Sequence, residues 1–385
     1  MDNPFASKEV VLTRYLYILD EVLYTLKEVL LKGKDFNEVV FWAGEIIYSG
    51  LSEELWQFIF YFNYSFLAIV YPKYETKLYK LYKLFTNENE KHLSKFKTIK
   101  NGFITVNISD LQLEYCINAL SILFNSKKNF LVFNKWHQDQ KKIDNIYSIN
   151  TPEWLKKLKI DKKYFTYLRS IKNKNFKNIA FYLKTKYFDI DNLYKITIKY
   201  FKEVKNIGIK PKNINISQLP YRNKEHIIMT LICHMLTDEK NIEKRSIFTI
   251  CDTELHLKQL KIDNEPINIA YKTLSNKYRY PISKTIGCFP LARNSFRNYR
   301  NIKEVFWFLW KYYTYNCPVW RERYNKYNII IDKKKKDILF QDYQNQEDFD
   351  NNYYYETDEQ TIQVQNMSVP EIPPITLQAW KKLII

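Results

Sequence analysis

Five histidines and five cysteines are the side chains from which this 385-residue chain would build a metal or thiolate centre. The densest group is His226, Cys233, His234, Cys251 and His256. Cys233 and His234 are adjacent, and adjacent residues on a helix point about 100° apart; Cys251 and His256 are five residues apart. Neither spacing is that of paired zinc ligands. No Cys-x-x-Cys occurs and the cysteine number is odd, so the thiols read as reduced and buried. No Gly-x-Ser-x-Gly elbow exists to present a serine nucleophile. Asp252, Glu254 and Lys258 approach the spacing of a metal-dependent nuclease, but a chain with 42 acidic residues produces such spacings by chance. The six glycines are dispersed, so no phosphate-cradling loop forms, and a Rossmann or P-loop nucleotide site is excluded. The sequence therefore predicts no catalytic residue, no metal and no cofactor.

Another kind of chemistry is present in quantity. Between Tyr271 and Lys326 stand twelve Lys and Arg residues against Glu304 and Glu322, with tyrosines, phenylalanines and tryptophans between them. Cationic side chains neutralise phosphates, and aromatic faces take up unstacked bases. Arg293, Arg297, Arg300, Arg321 and Arg323 are the expected contacts to nucleic acid or to another acidic partner. The structural alternative is equally concrete: Phe306, Trp307, Leu309, Trp310 and Tyr313 form the core face of a helix, and the arginines are its solvated side. A Lys-, Asn-, Ile- and Tyr-rich composition also follows from an A+T-rich genome.

The formal charge of +18 is unevenly placed along the chain. Residues Asp337–Ala379 hold nine acids and no Lys or Arg, followed by Lys381 and Lys382, so the first 336 residues carry +25. A basic body with an acidic tail results, and the tail is itself a candidate partner for the basic surface. No N-terminal signal pattern and no run long enough to cross a bilayer is found, which predicts a soluble, intracellular protein.

Positioning these residues falls to helices. The stretch Phe36–Pro72 reads as two antiparallel helices joined at Tyr48–Leu51, with Gly50 in the left-handed conformation and Ser52 capping the second helix. Val10–Leu31 reads as one amphipathic helix closed by Gly33. Further helices are predicted over Glu75–Phe85, Asp110–Phe124, Glu153–Leu158, Lys162–Ile171, Ile179–Tyr187, Asn192–Val204, Lys224–Asp238 and Glu254–Ile262, and a short hairpin over Asn328–Phe340. The expected fold is mainly α, an irregular array of helix hairpins with an extended acidic C-terminal tail. Its expected divisions are an N-terminal helical domain (1–125), a linker (126–151), a basic helical domain (152–330), and a hairpin with the tail (331–385).

Three segments, DNPFASKEVVLTRYLYILDEV, FNEVVFWAGEIIYSGLSEELWQFIFYF and YYYETDEQTIQVQN, resemble a family of uncharacterised proteins of giant nucleocytoplasmic DNA viruses of the mimivirus kind. The resemblance implies a viral protein made in the cytoplasm of an infected cell, in a viral factory or virion; it implies no activity, cofactor or catalytic residue. The resulting expectation is a non-enzymatic helical scaffold that binds nucleic acid or an acidic partner. A purely structural or interaction protein is the alternative, and a divergent enzyme a third.

Overall fold

The computed structural model describes residues 10–96, 108–137, 151–185, 188–205, 216, 219–237, 252–263, 280, 282–283, 285, 308–353 and 375–384. Among these, helices dominate. In chain order they begin with α1 (Leu19–Lys32), α2 (Phe36–Tyr48), α3 (Ser52–Phe62), α4 (Tyr74–Phe96), α5 (Asp110–Asn125) and α6 (Leu131–Trp136). There follow α7 (Glu153–Lys157), α8 (Phe165–Lys172), α9 (Phe176–Lys184), α10 (Ile190–Glu203), α11 (Lys224–Leu236) and α12 (Thr253–Asp263). The last are α13 (Trp310–Thr314), α14 (Pro318–Tyr324), strands β1 (Ile329–Asp332) and β2 (Asp337–Phe340), α15 (Tyr343–Tyr353) and α16 (Leu377–Ile384). The mainly α, irregular helical array expected from the sequence is what forms.

Two compact units divide the chain. Unit 1 comprises Met1–Phe58, Leu81–Asn125 and Thr249–Ile385; unit 2 comprises Ile59–Lys80 and Ser126–Phe248. Two of the boundaries fall inside α3 and α4 and a third follows Asn125, the expected end of the N-terminal domain, so the units and the contiguous blocks read from the sequence share that boundary and otherwise partition the chain differently. The segment 126–151, read as a linker, contains α6, whose Val132, Phe133 and Trp136 are buried.

In unit 1 the α1–α2 hairpin turns at Gly33, whose φ of 60° suits a residue without a Cβ and whose N–H reaches the Val29 carbonyl. Asp35 caps α2 by accepting from the Asn37 N–H at 2.9 Å. Val39, Trp42 and Ile46 then line its fully buried face. Gly50 is left-handed (φ 80°) as predicted, whereas Ser52 is the first residue of α3 rather than its cap.

Two expected helices have different bounds. Val10–Ile18 is not helical: Leu12 and Ile18 pair across a tight loop in which Leu16 takes φ 64°. Its leucine spacing resembles a helix because every residue of the loop is buried. The second helix of the hairpin, read as running to Val70, leaves α-geometry at Phe62. Asn63–Leu67 forms a π-turn, with the Ala68 N–H reaching back five residues to the Asn63 carbonyl at 2.8 Å. In the other direction, the helix expected over Glu75–Phe85 runs on as α4 to Phe96.

The predicted hairpin is present as β1–β2, antiparallel with Ile330 opposite Leu339. The tail does not stay extended after it. Tyr343–Tyr353 and Leu377–Ile384 are helices because each has an aromatic residue to bury, Phe349 and Trp380, both without exposed surface. Residues 354–374 lie outside the described residues. No helix among the described residues is long and apolar enough to cross a membrane.

Candidate nucleic-acid interface

Of the five arginines expected to contact a polyanion, Arg293, Arg297 and Arg300 lie outside the described residues. Arg321 and Arg323 are both on α14, and the structure separates their roles. Arg321 is exposed; its guanidinium lies 5.3 Å from the centre of the Tyr315 ring, and its Nε–H donates to the Tyr315 carbonyl. Arg323 is packed between rings, 4.4 Å from Trp320 and 4.8 Å from Tyr353. Its Nη1 is buried with no hydrogen-bond partner, and burial together with the nearby Arg14 lowers its pKa. A guanidinium held this way serves packing more than phosphate contact.

The acidic region itself covers this part of unit 1. Phe349 of α15 stacks on Tyr324 at 4.8 Å, and Asp350 accepts from Lys311 Nζ at 2.8 Å. These contacts secure α13 and α14 beneath α15. The two helices also hold the N-terminal loop: Trp320 Nε1 donates to the Thr13 carbonyl (3.1 Å) and Asn316 to the Val10 carbonyl (2.8 Å). Within that loop Arg14 Nε donates to Glu45 at 3.0 Å, with Arg14 7% and Glu45 2% exposed. The Tyr15 N–H donates to the other oxygen of the same carboxylate, and the Arg14 guanidinium also lies over the Tyr15 and Tyr48 rings. The pair is an internal strut of unit 1. Elsewhere in the unit, Trp380 of α16 donates to the buried Glu28 of α1 at 3.0 Å.

Unit 2 has a different electrostatic character. It contains 30 Lys and Arg against 12 Asp and Glu, whereas unit 1 contains 30 of each. The whole formal charge of +18 therefore belongs to unit 2. Among the described residues, amphipathic helices turn part of it to the surface. On α10 the apolar stripe Leu193, Thr197, Tyr200 and Phe201 is buried, which turns Lys195 and Lys202 to solvent. On and between α7 and α8, Lys157, Lys159 and Lys162 are exposed and form no ion pair among the described residues. Lys156 and Lys163 pair with Glu153 and Asp161 at the surface. Aromatic rings are interleaved here too: Lys163 lies over Tyr164, Lys172 over Trp154, Lys135 over Phe176 and Lys184 over Trp136, at 4.5–5.2 Å. The mixture sought in Tyr271–Lys326 thus recurs in unit 2. It was missed in the sequence because its lysines are spread over several helices, with no dense run to draw attention.

Beneath that surface lies a polar core. Tyr64 donates to Glu75 at 2.8 Å and stacks on Tyr221, whose hydroxyl is 2.9 Å from His226 Nδ1. The His226 ring is fully buried against Trp136 and Tyr61, and its Nε2 has no hydrogen-bond partner. Burial and the nearby Lys184 charge hold its pKa down at about 3, so the imidazole is neutral. Lys184 donates to the Trp136 carbonyl at 2.7 Å, and burial lowers its own pKa to about 8.

Of the sequence's other chemical candidates, Cys251 lies outside the described residues; those described have ordinary structural surroundings. Asp252 accepts from the Leu255 N–H at the start of α12, and Glu254 pairs with Lys258 on its exposed side. Cys233 is buried, as are Cys116 and Cys317; burial raises the Cys233 and Cys317 thiol pKa values to about 12. Among the described residues no three His, Cys, Asp or Glu side chains gather to hold a metal ion.

Fold and surface together define a mainly α-helical protein with one electroneutral unit and one strongly cationic unit. No protein-family model, curated protein or solved structure matches the chain.

Proposed function

We propose that this protein is a non-enzymatic helical scaffold that binds nucleic acid, or a polyanion of similar charge density, through the lysine-rich surface of unit 2. The observation that carries the reading is the assignment of the entire +18 to that unit. Arg293, Arg297, Arg300 and Arg321, the contacts expected from the sequence, belong to unit 1, and the reading does not depend on them. A role in viral replication or particle assembly is supported only by the resemblance of the three sequence segments.

Salt dependence is the test. Each phosphate neutralised on duplex DNA contributes about −0.9 to the slope of log K against log salt. Engagement of five or six unit 2 lysines gives a slope of about −5 between 50 and 300 mM salt. Replacing Lys157, Lys159, Lys162 and Lys195 together with Gln makes that slope shallower by about 3.6. Binding that is absent, or that ignores salt, refutes the reading and leaves a purely structural protein.

A further inference from the structure

Trp154 is out of place for a core residue. Helix α7 starts after Pro152, and the side chains that anchor it are Leu155 and Leu158, both buried. Trp154, just before Leu155, is only partly buried. One ring neighbour, Tyr200 of α10, meets it edge-on at 5.7 Å and 69°. Lys172, the last residue of α8, places its ammonium 4.8 Å from the ring centre. Lys157 follows Trp154 by three residues on the same helix, close enough to share a surface, and Lys174 follows Lys172 by two. Both are exposed and form no ion pair among the described residues.

We infer that Trp154 is a base-stacking platform and that the preferred ligand of unit 2 is single-stranded nucleic acid. The inference rests on the polyanion reading above and narrows it. A duplex keeps its bases stacked inside and offers a protein surface mainly phosphates, for which lysines suffice. A single strand also exposes base faces, and an aromatic ring flanked by cations takes them up without regard to sequence. On binding, a base lies against the indole, and the Lys172 ammonium moves from the ring face to the adjoining phosphate. Ammonium and base thus compete for one face of the indole, and the phosphate offers the ammonium a charged partner in exchange.

The experiment measures the affinity of the full chain and its variants for a dye-labelled 20-nucleotide oligothymidine, and for a 20-base-pair duplex, by fluorescence anisotropy at equal salt. Trp154→Ala is expected to weaken oligothymidine binding about 10-fold, the scale of one lost base stack, and duplex binding less than about 2-fold. Trp154→Phe keeps a ring and retains most of the single-strand affinity, with circular dichroism verifying the fold of both variants. Equal loss on both ligands, or no loss on oligothymidine with Trp154→Ala, overturns the inference. Polyglutamate competing as well as oligothymidine also overturns it, in favour of an acidic protein partner. If neither nucleic acid binds with salt dependence, the parent reading fails instead, so the two failures are distinct.

Discussion

Acid should loosen unit 2 through a single imidazole. Unfolded, His226 takes up a proton near pH 6.5; folded, burial and the nearby Lys184 hold its pKa at about 3. Between those values the unfolded chain binds one more proton than the folded chain, so stability falls as pH falls. Well below pH 6.5 each pH unit costs about 1.4 kcal/mol, and between pH 6.5, where the unfolded imidazole is half-protonated, and pH 4.5 the cost is about 2.3 kcal/mol. That is a large part of the 5–15 kcal/mol (roughly) that holds a typical domain together. Replacement by Gln isolates the effect, because its amide keeps a polar partner for the Tyr221 hydroxyl and takes up no proton in this range. Hydrogen exchange of the α11 amides, followed by mass spectrometry at pH 6.5, 5.5 and 4.5, reads unit 2 locally. The wild-type helix should lose about 2.3 kcal/mol more protection than His226→Gln over that interval. Parallel losses would mean that the ring is solvated or already paired, and the argument would be wrong.

Two further effects follow from buried charge. In alkali, Lys128 and Lys184, both lowered to about 8 by burial, lose protons in the folded state before the unfolded lysines do near 10.5. Unit 2 should therefore gain about 1 kcal/mol between pH 8 and 10, after allowance for partial solvation. Above pH 10 it should lose stability, because burial pushes Tyr200 up to about 12 and Tyr64 and Tyr221 well above their ordinary value; urea midpoints across pH 7–11 should trace this rise and fall. In unit 1, Glu45→Gln breaks the buried Arg14–Glu45 ion pair from one side and should destabilise by about 3–5 kcal/mol. Replacing both residues with Met should restore much of that loss, and chemical denaturation of the four proteins makes the double-mutant cycle.

Helices whose apolar spacing comes from one buried face were legible in the sequence. For α5, α10, α11 and α12 the expected and observed bounds differ by at most two residues. Failures occurred where burial is all-round or where an irregular turn intervenes. Val10–Ile18 is buried on every side, so its leucines carry no periodic information about backbone shape. The π-turn at Asn63 adds one residue to the helical repeat and leaves the apolar run looking continuous. Arg323 looks from sequence like a solvated cation, yet Tyr353, thirty residues on, covers it. Local pattern cannot report such a contact, because the covering residue comes from a separate helix. For the same reason the surface of unit 2 was not visible as one object, since it is assembled from two separate stretches of chain.

That assembly also bears on the compositional explanation of the lysines. An A+T-rich genome raises Lys along a whole coding sequence and has no means of recognising a structural unit. Here unit 2 holds as many Lys and Arg as unit 1 in 145 residues against 240, with fewer than half the acids. In unit 1 the acids of the C-terminal region complete an even balance of 30 against 30, and contacts such as Lys311–Asp350 show part of that balance being made locally. The acidic tail therefore offsets the unit it belongs to, and unit 2 keeps its charge. A folded unit that carries +18 pays a self-repulsion penalty unless counterions or a ligand neutralise it. On the proposed reading, that ligand is a polyanion.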